Sequence, residues 1–286
     1  MTVLFALLTS LTNAAAVTLQ HIASTSDATK SKGIRFAMYL VRNPLWLLGW
    51  LALFGSLVFQ ALALHVGPLS LVQPILVTEL VLALLLRQVW LRQSIRVVTW
   101  LSALVTAVGL ITFLVVTSPR ASSFVPTTSA WTWPTVVCGV GAGLLVVLAQ
   151  TGSPARRAAL FASATAVIWA LEATFIKATT DTISAFAVSG ALSRWPIYAL
   201  IVAGIAGLFC EQAALHVGPL SVSQPIIVIV DPVVSVALGV WLYHEHLRSG
   251  VLHLGVGLIA FAVMCAGVVA LTKTSPTSMD PDIRRL

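Results

Sequence analysis

The chain has 286 residues, of which 58% are hydrophobic and only 9% charged. A soluble domain carries about 25% charged residues, so the composition excludes an ordinary soluble protein and predicts an all-α polytopic membrane protein. The net charge of +7 does not point to nucleic acid, because the Lys and Arg residues are scattered through short segments and form no run.

A bilayer core of about 30 Å takes about 20 apolar residues per helix. On that measure residues 2–22, 45–64, 69–86, 97–116, 133–148, 157–178, 195–215, 220–242 and 251–271 are nine predicted spans. The start resembles a signal peptide in its small residues Ala14, Ala15 and Ala16, but no basic stretch precedes the apolar run, so it is read as a retained span. Residues 33–41 and 182–192 follow the first span of each half and are apolar but too short to cross unaided; surface helices and worn-down spans both fit them. The Ser/Thr/Pro-rich residues 118–132 are too polar to insert, and the tail, with both charge signs, is expected to be mobile. Four regions follow: a first repeat at 1–118, a polar loop and linking helix at 119–150, a second repeat at 151–272, and a cytoplasmic tail at 273–286.

The repeats are visible in the residues. Residues 63–75 recur at 214–226 with eleven of thirteen positions identical; only Leu71/Val222 and Val72/Ser223 differ. Such a run marks a duplication. The offset of 151 becomes 152 by the pair Ile95–Arg96 and Leu247–Arg248. Four spans per repeat with one between them makes the second copy enter the membrane from the opposite side, as an inverted repeat. Twelve of the sixteen Lys and Arg residues then fall on one face, which the positive-inside rule makes cytoplasmic. The expected location is the plasma membrane, with the N-terminus outside and the C-terminus inside.

Each copy carries Gly-Pro between apolar runs, a second proline six residues on, then a lone carboxylate: Gly67, Pro74 and Glu79 in the first, Gly218, Pro225 and Asp231 in the second. Pro74, Pro225 and Pro232 have no N–H to give the carbonyl four residues earlier, which frees those of Ser70, Ser221 and Val228. In lipid a freed carbonyl is tolerated only against protein or a cavity, so two matched broken segments point to a transport site. Gln73 and Gln224 lie beside the kinks with both donors and acceptors. Prolines and glutamines also serve simply to kink and join helices.

Four of nine acidic residues, Glu79, Glu172, Glu211 and Asp231, fall within predicted spans. A charge at a helix centre costs about 2.5–3.5 kcal/mol to insert, so such a group is expected to face a partner, a proton or water. Glu79 and Asp231 are expected at the midplane, Glu211 opposite Gln60 of the other repeat, and Glu172 as a snorkelling pair with Lys177. Asn13, Gln20 and His21 either line the cavity or bond a neighbour. His244, Glu245 and His246 read as a loop cluster, since both His residues cannot share one helical face. The Trp residues at span ends read as interfacial anchors, and Cys138, Cys210 and Cys265 as buried, inert thiols. No metal site, cofactor or catalytic motif is expected.

The chain resembles the drug/metabolite transporter superfamily of the EamA type. Residues 61–70 are similar to that family's YALxxxxxS run, and residues 241–247, after Asp231–Pro232, to its LxGERL ending; Gln93-Ser94-Ile95 and His246 depart from the latter. The nine-span, N-outside layout is similar to the NIPA-type magnesium transporters of that superfamily. The resemblance implies a secondary transporter of a small polar metabolite or cation, ion-coupled and working by alternating access. A divalent-cation transporter is the nearest alternative, and a non-transporting scaffold or sensor a further one.

Overall fold

The computed structural model describes residues 1–25, 43–91, 95–122, 124–218, 220–248 and 250–274. Segment 33–41 and the tail beyond 274 lie outside them. The described residues form helices α1 (Thr2–Thr25), α2 (Pro44–Val66), α3 (Leu69–Leu76), α4 (Thr78–Leu91), α5 (Val97–Thr117), α6 (Thr132–Leu148), α7 (Pro154–Ala191), α8 (Trp195–Val217), α9 (Leu220–Leu242) and α10 (Val251–Thr274). Among the described residues nine helical stretches are long and apolar enough to cross a bilayer, with α3 and α4 together making one of them. Large apolar side chains cover their outward faces: Leu51, Phe54, Val202, Phe209 and Leu258 are each more than 60% exposed. A soluble protein does not carry an apolar surface of that extent; this is a multi-pass, all-α membrane protein.

Local chemistry sets the helix starts. Asn43 caps α2 by accepting the Leu45 N–H at 2.9 Å, and Ser153 caps α7 through the Arg156 N–H at 3.4 Å; each cap is followed by a proline, which loses nothing in the first turn. Pairings then follow the duplication. α1 packs on α2 and on the α3–α4 pair, while α7 packs on α8 and on α9. The last helices of the two halves, α5 and α10, pack on each other, and there glycine is required. A Cβ on Gly109 would lie 2.5 Å from the Met264 nitrogen and 2.9 Å from the Ala260 carbonyl oxygen. α6 stands at the edge and packs chiefly on α7.

Two expectations change. The span ending at 178 continues helically as far as a kink at Ala187, whose backbone is not helical (φ 57°, ψ 177°), and a short second helical piece follows to Ala191, so residues 182–192 are divided by the kink and do not form a span of their own. Nor are the two proline-bearing spans matched. The first is interrupted at Val77, between α3 and α4, whereas α9 runs unbroken through Pro225 and Pro232.

That asymmetry has a register cause. Gln224 and Asp231 are seven residues apart, and seven steps of about 100° nearly close two α-helical turns, which puts both on one face. Gln73 and Glu79 are only six apart. Around Val77 the bonds tighten to three-residue turns, Val77 N–H to Pro74 and Leu80 N–H to Val77, both at 3.2 Å. The tighter steps at Val77 turn Glu79 part of the way toward the face that Gln73 occupies despite the missing residue. The Thr78 hydroxyl donates to the Ile75 carbonyl at 2.7 Å and satisfies an oxygen left at the break.

Candidate functional site

The intramembrane carboxylates fall into two pairs, Glu79 with Glu211 and Glu172 with Asp231. Glu79, at the start of α4, accepts a hydrogen bond from Asn13 Nδ2 of α1 at 2.7 Å. Asp231, midway along α9, accepts one from Ser235 a turn later at 3.0 Å. Glu211 on α8 is within electrostatic reach of Glu79, and Glu172 on α7 within reach of Asp231. Glu172 lies along the α7–α8 contact, where a Cβ on Gly204 would come within 3.2 Å of its Oε1. All four carboxylates keep partial exposure.

Among the described residues no cation forms an ion pair with them. Among the described residues the one ion pair within 4 Å joins His65 to Asp181, away from this group. Lys177, the basic residue expected to pair with Glu172, points elsewhere: its Nζ donates to the carbonyls of Leu64 and Gly67, each at 2.8 Å. Residues five apart on a helix are about 140° apart, so the snorkelling pair was ruled out by rotation. Gln73 is 2% exposed and Gln224 half-buried; among the described residues the buried hydroxyls of Ser223 and Thr179 have no hydrogen-bond partner. Among the described residues no three His, Cys, Asp or Glu side chains gather as metal ligands would.

Other expected site residues sit elsewhere. Ser70 is about 13 Å along the chain axis from Glu79, and its hydroxyl and N–H both donate to Glu245, at 2.7 and 2.9 Å. Gln60 is half-buried on α2, with no bond to Glu211. The Ser221 side chain is outside the described ones. Gly67 and Gly218 are close-approach positions: a Cβ on Gly67 would collide with Thr2, and one on Gly218 would meet Pro154 O and Ala158 Cβ at 2.6 Å. Pro74, Pro225 and Pro232 are all buried against protein, not lipid.

Glu245 is the largest departure from expectation. It lies in the loop after α9 with its neighbouring histidines, as expected, but it is 4% exposed and caps the first turn of α3, accepting the Leu69 N–H at 2.6 Å as well as both Ser70 groups. His244 and His246 are exposed. His244 takes a left-handed backbone (φ 51°) and packs edge-on against Phe124, while His246 bridges Arg120 in an isolated antiparallel pair. Trp131, expected as an interfacial anchor, is buried and stacks on Phe175 with centroids 5.5 Å apart. Asn13, Glu172, Lys177 and Glu245 are the residues that sequence reasoning placed weakly or missed. The usable signal was shared by all four: a polar group in or beside an apolar run.

Two cavities lie apart from the carboxylates: one of about 320 Å³ among Trp131, Phe175 and Trp195, and an apolar one of about 230 Å³ between α1, α4 and α5.

The chain is similar to an uncharacterized protein of Corynebacterium glutamicum, 27% identical over 277 residues that cover 96% of this chain and 95% of that one. No family model matches, and no solved structure matches.

Proposed function

We propose that this protein is a secondary transporter whose central carboxylates exchange protons for a cationic substrate. One observation carries the reading: Glu79 with Glu211, and Glu172 with Asp231, lie within electrostatic reach of each other inside spanning helices, and among the described residues none of them is in an ion pair with a cation. Charged groups at that depth each cost about 2.5–3.5 kcal/mol. A purely structural role would leave that cost uncompensated; a proton or a passing cation offsets it. Asn13 and Ser235 orient Glu79 and Asp231, and Gln73 and Gln224 offer donors and acceptors to a polar substrate.

The transporter is of the drug/metabolite type, its halves an inverted repeat that rocks about these carboxylates. Support comes from the matched packing of α1 on α2 and α7 on α8, and from the meeting of the equivalent helices α5 and α10, as a two-fold axis requires. The N-terminus faces outward and the tail the cytoplasm.

The test is uptake by proteoliposomes of cationic metabolites, driven by an imposed proton gradient. Glu79→Gln and Asp231→Asn should each abolish gradient-driven uptake while the protein remains folded. Unchanged uptake and unchanged pH dependence in both variants would end the proposal.

A further inference from the structure

The break between α2 and α3, at Gly67–Pro68, is held from both sides by charges of the other half. On the α2 side Lys177 Nζ donates to Leu64 and Gly67, carbonyls that have no partner within their helix. On the α3 side the Glu245 carboxylate accepts from the Leu69 and Ser70 N–H groups and the Ser70 hydroxyl. Each charge sits at the helix end whose dipole favours it, cation at the C-terminus and anion at the N-terminus. Both side chains are nine-tenths buried or more. Tyr243 joins them, its ring 5.3 Å from Lys177 Nζ and its hydroxyl on the Thr174 carbonyl at 2.9 Å. Gly239 leaves Glu245 its room, since a Cβ there would strike the carboxylate. Farther out His65, in the last turn of α2, contacts Asp181 and Ser184 of α7 at 3.4 and 3.2 Å.

By the repeat offset, neutral Gln93 stands where the second half has Glu245, and Ser26 stands where it has Lys177. The duplicate run at 214–226 therefore has no sequence equivalent of either side chain.

We propose that Lys177 and Glu245 form a latch that locks the first-half break to the second half, so that the molecule rests shut at that end and the unlatched duplicate is the freer of the two. The latch is independent of what the carboxylates carry; it concerns which end opens, so it can fail while the transport reading stands, and the reverse.

The duplication supplies its own control, because 63–75 and 214–226 share eleven of thirteen residues and hence nearly the same intrinsic amide exchange rates. Hydrogen–deuterium exchange of the full-length protein in lipid nanodiscs reads both. In the native protein the first copy should exchange about ten- to a hundredfold more slowly than the second, the scale of hydrogen bonds to charged groups. Glu245→Gln and Lys177→Met should each shrink that ratio, with exchange in α5 and α10 unchanged. Equal exchange of the two copies in the native protein overturns the proposal, a result that needs no variant to fold. So does a ratio that survives both substitutions.

Discussion

Replacing Gly109 by alanine is expected to destabilise the protein by about 2–3 kcal/mol, the upper part of the range for overpacking a close contact. The new Cβ would stand 2.5, 2.8 and 2.9 Å from the Met264 N, Met264 Cα and Ala260 O atoms. Those are backbone atoms of a helix and cannot swing aside as a side-chain tip does. Carbon contacts settle near 3.5–4.0 Å, so α10 must retreat by about 1 Å, and a gap of that size forfeits a quarter to a half of each attraction it opens. The cluster of Val77, Leu110, Met264 and Val268 lies along this seam and loses packing with it. At about 2–4 °C per kcal/mol for a chain of this size the melting temperature should fall by about 5–10 °C. The assay is thermal unfolding of purified protein in one detergent. Gly139→Ala, Gly141→Ala and Gly143→Ala provide the contrast, since a Cβ at those positions on α6 meets nothing within 4 Å. There alanine removes glycine's conformational freedom, favouring the helix by about 0.5–1 kcal/mol, and melting should hold or rise. A fall of equal size at Gly109 and at Gly139 would refute the claim that the two halves meet backbone to backbone at α5 and α10.

Other outcomes follow from the same contacts. Lys177→Met leaves the Leu64 and Gly67 carbonyls unbonded, at about 1–3 kcal/mol for each buried acceptor, visible as a lowered melting temperature. Gly239→Ala should mimic Glu245→Ala in thermal unfolding, because its Cβ occupies the space of the carboxylate; additive losses in the double variant would break that link. Asn13→Asp replaces the donor to Glu79 with a second acid at hydrogen-bond distance, and should abolish uptake at neutral pH with partial recovery under acid, where one proton is shared. For orientation, a cysteine introduced at Ser122 should react with an impermeant thiol reagent in intact cells and one at Ser153 only after permeabilisation, and the reverse pattern would overturn the N-outside assignment.

The periodicity and composition were enough to find the nine apolar spans seen among the described residues, because a spanning helix must satisfy its backbone within itself and so writes its length into consecutive residues. The isolated acids Glu79, Glu172, Glu211 and Asp231 were legible for a related reason: a carboxylate in an apolar run is too costly to be incidental. Partners were not legible. Glu245 reads as part of a loop because its amide partners lie 175 and 176 residues earlier, and Lys177 seemed bound to Glu172 by nearness in the chain alone. Likewise, eleven shared residues in thirteen suggested two equal breaks, yet one missing residue before Glu79 forces a tight turn at Val77 that the continuous α9 does not need. Sequence alone settled which segments are apolar and which polar groups interrupt them, since both depend on transfer from water to lipid, residue by residue. Which charge meets which helix end, and which copy of the duplicated run is broken, depended on rotation and register between distant helices, and only the packed chain decides that.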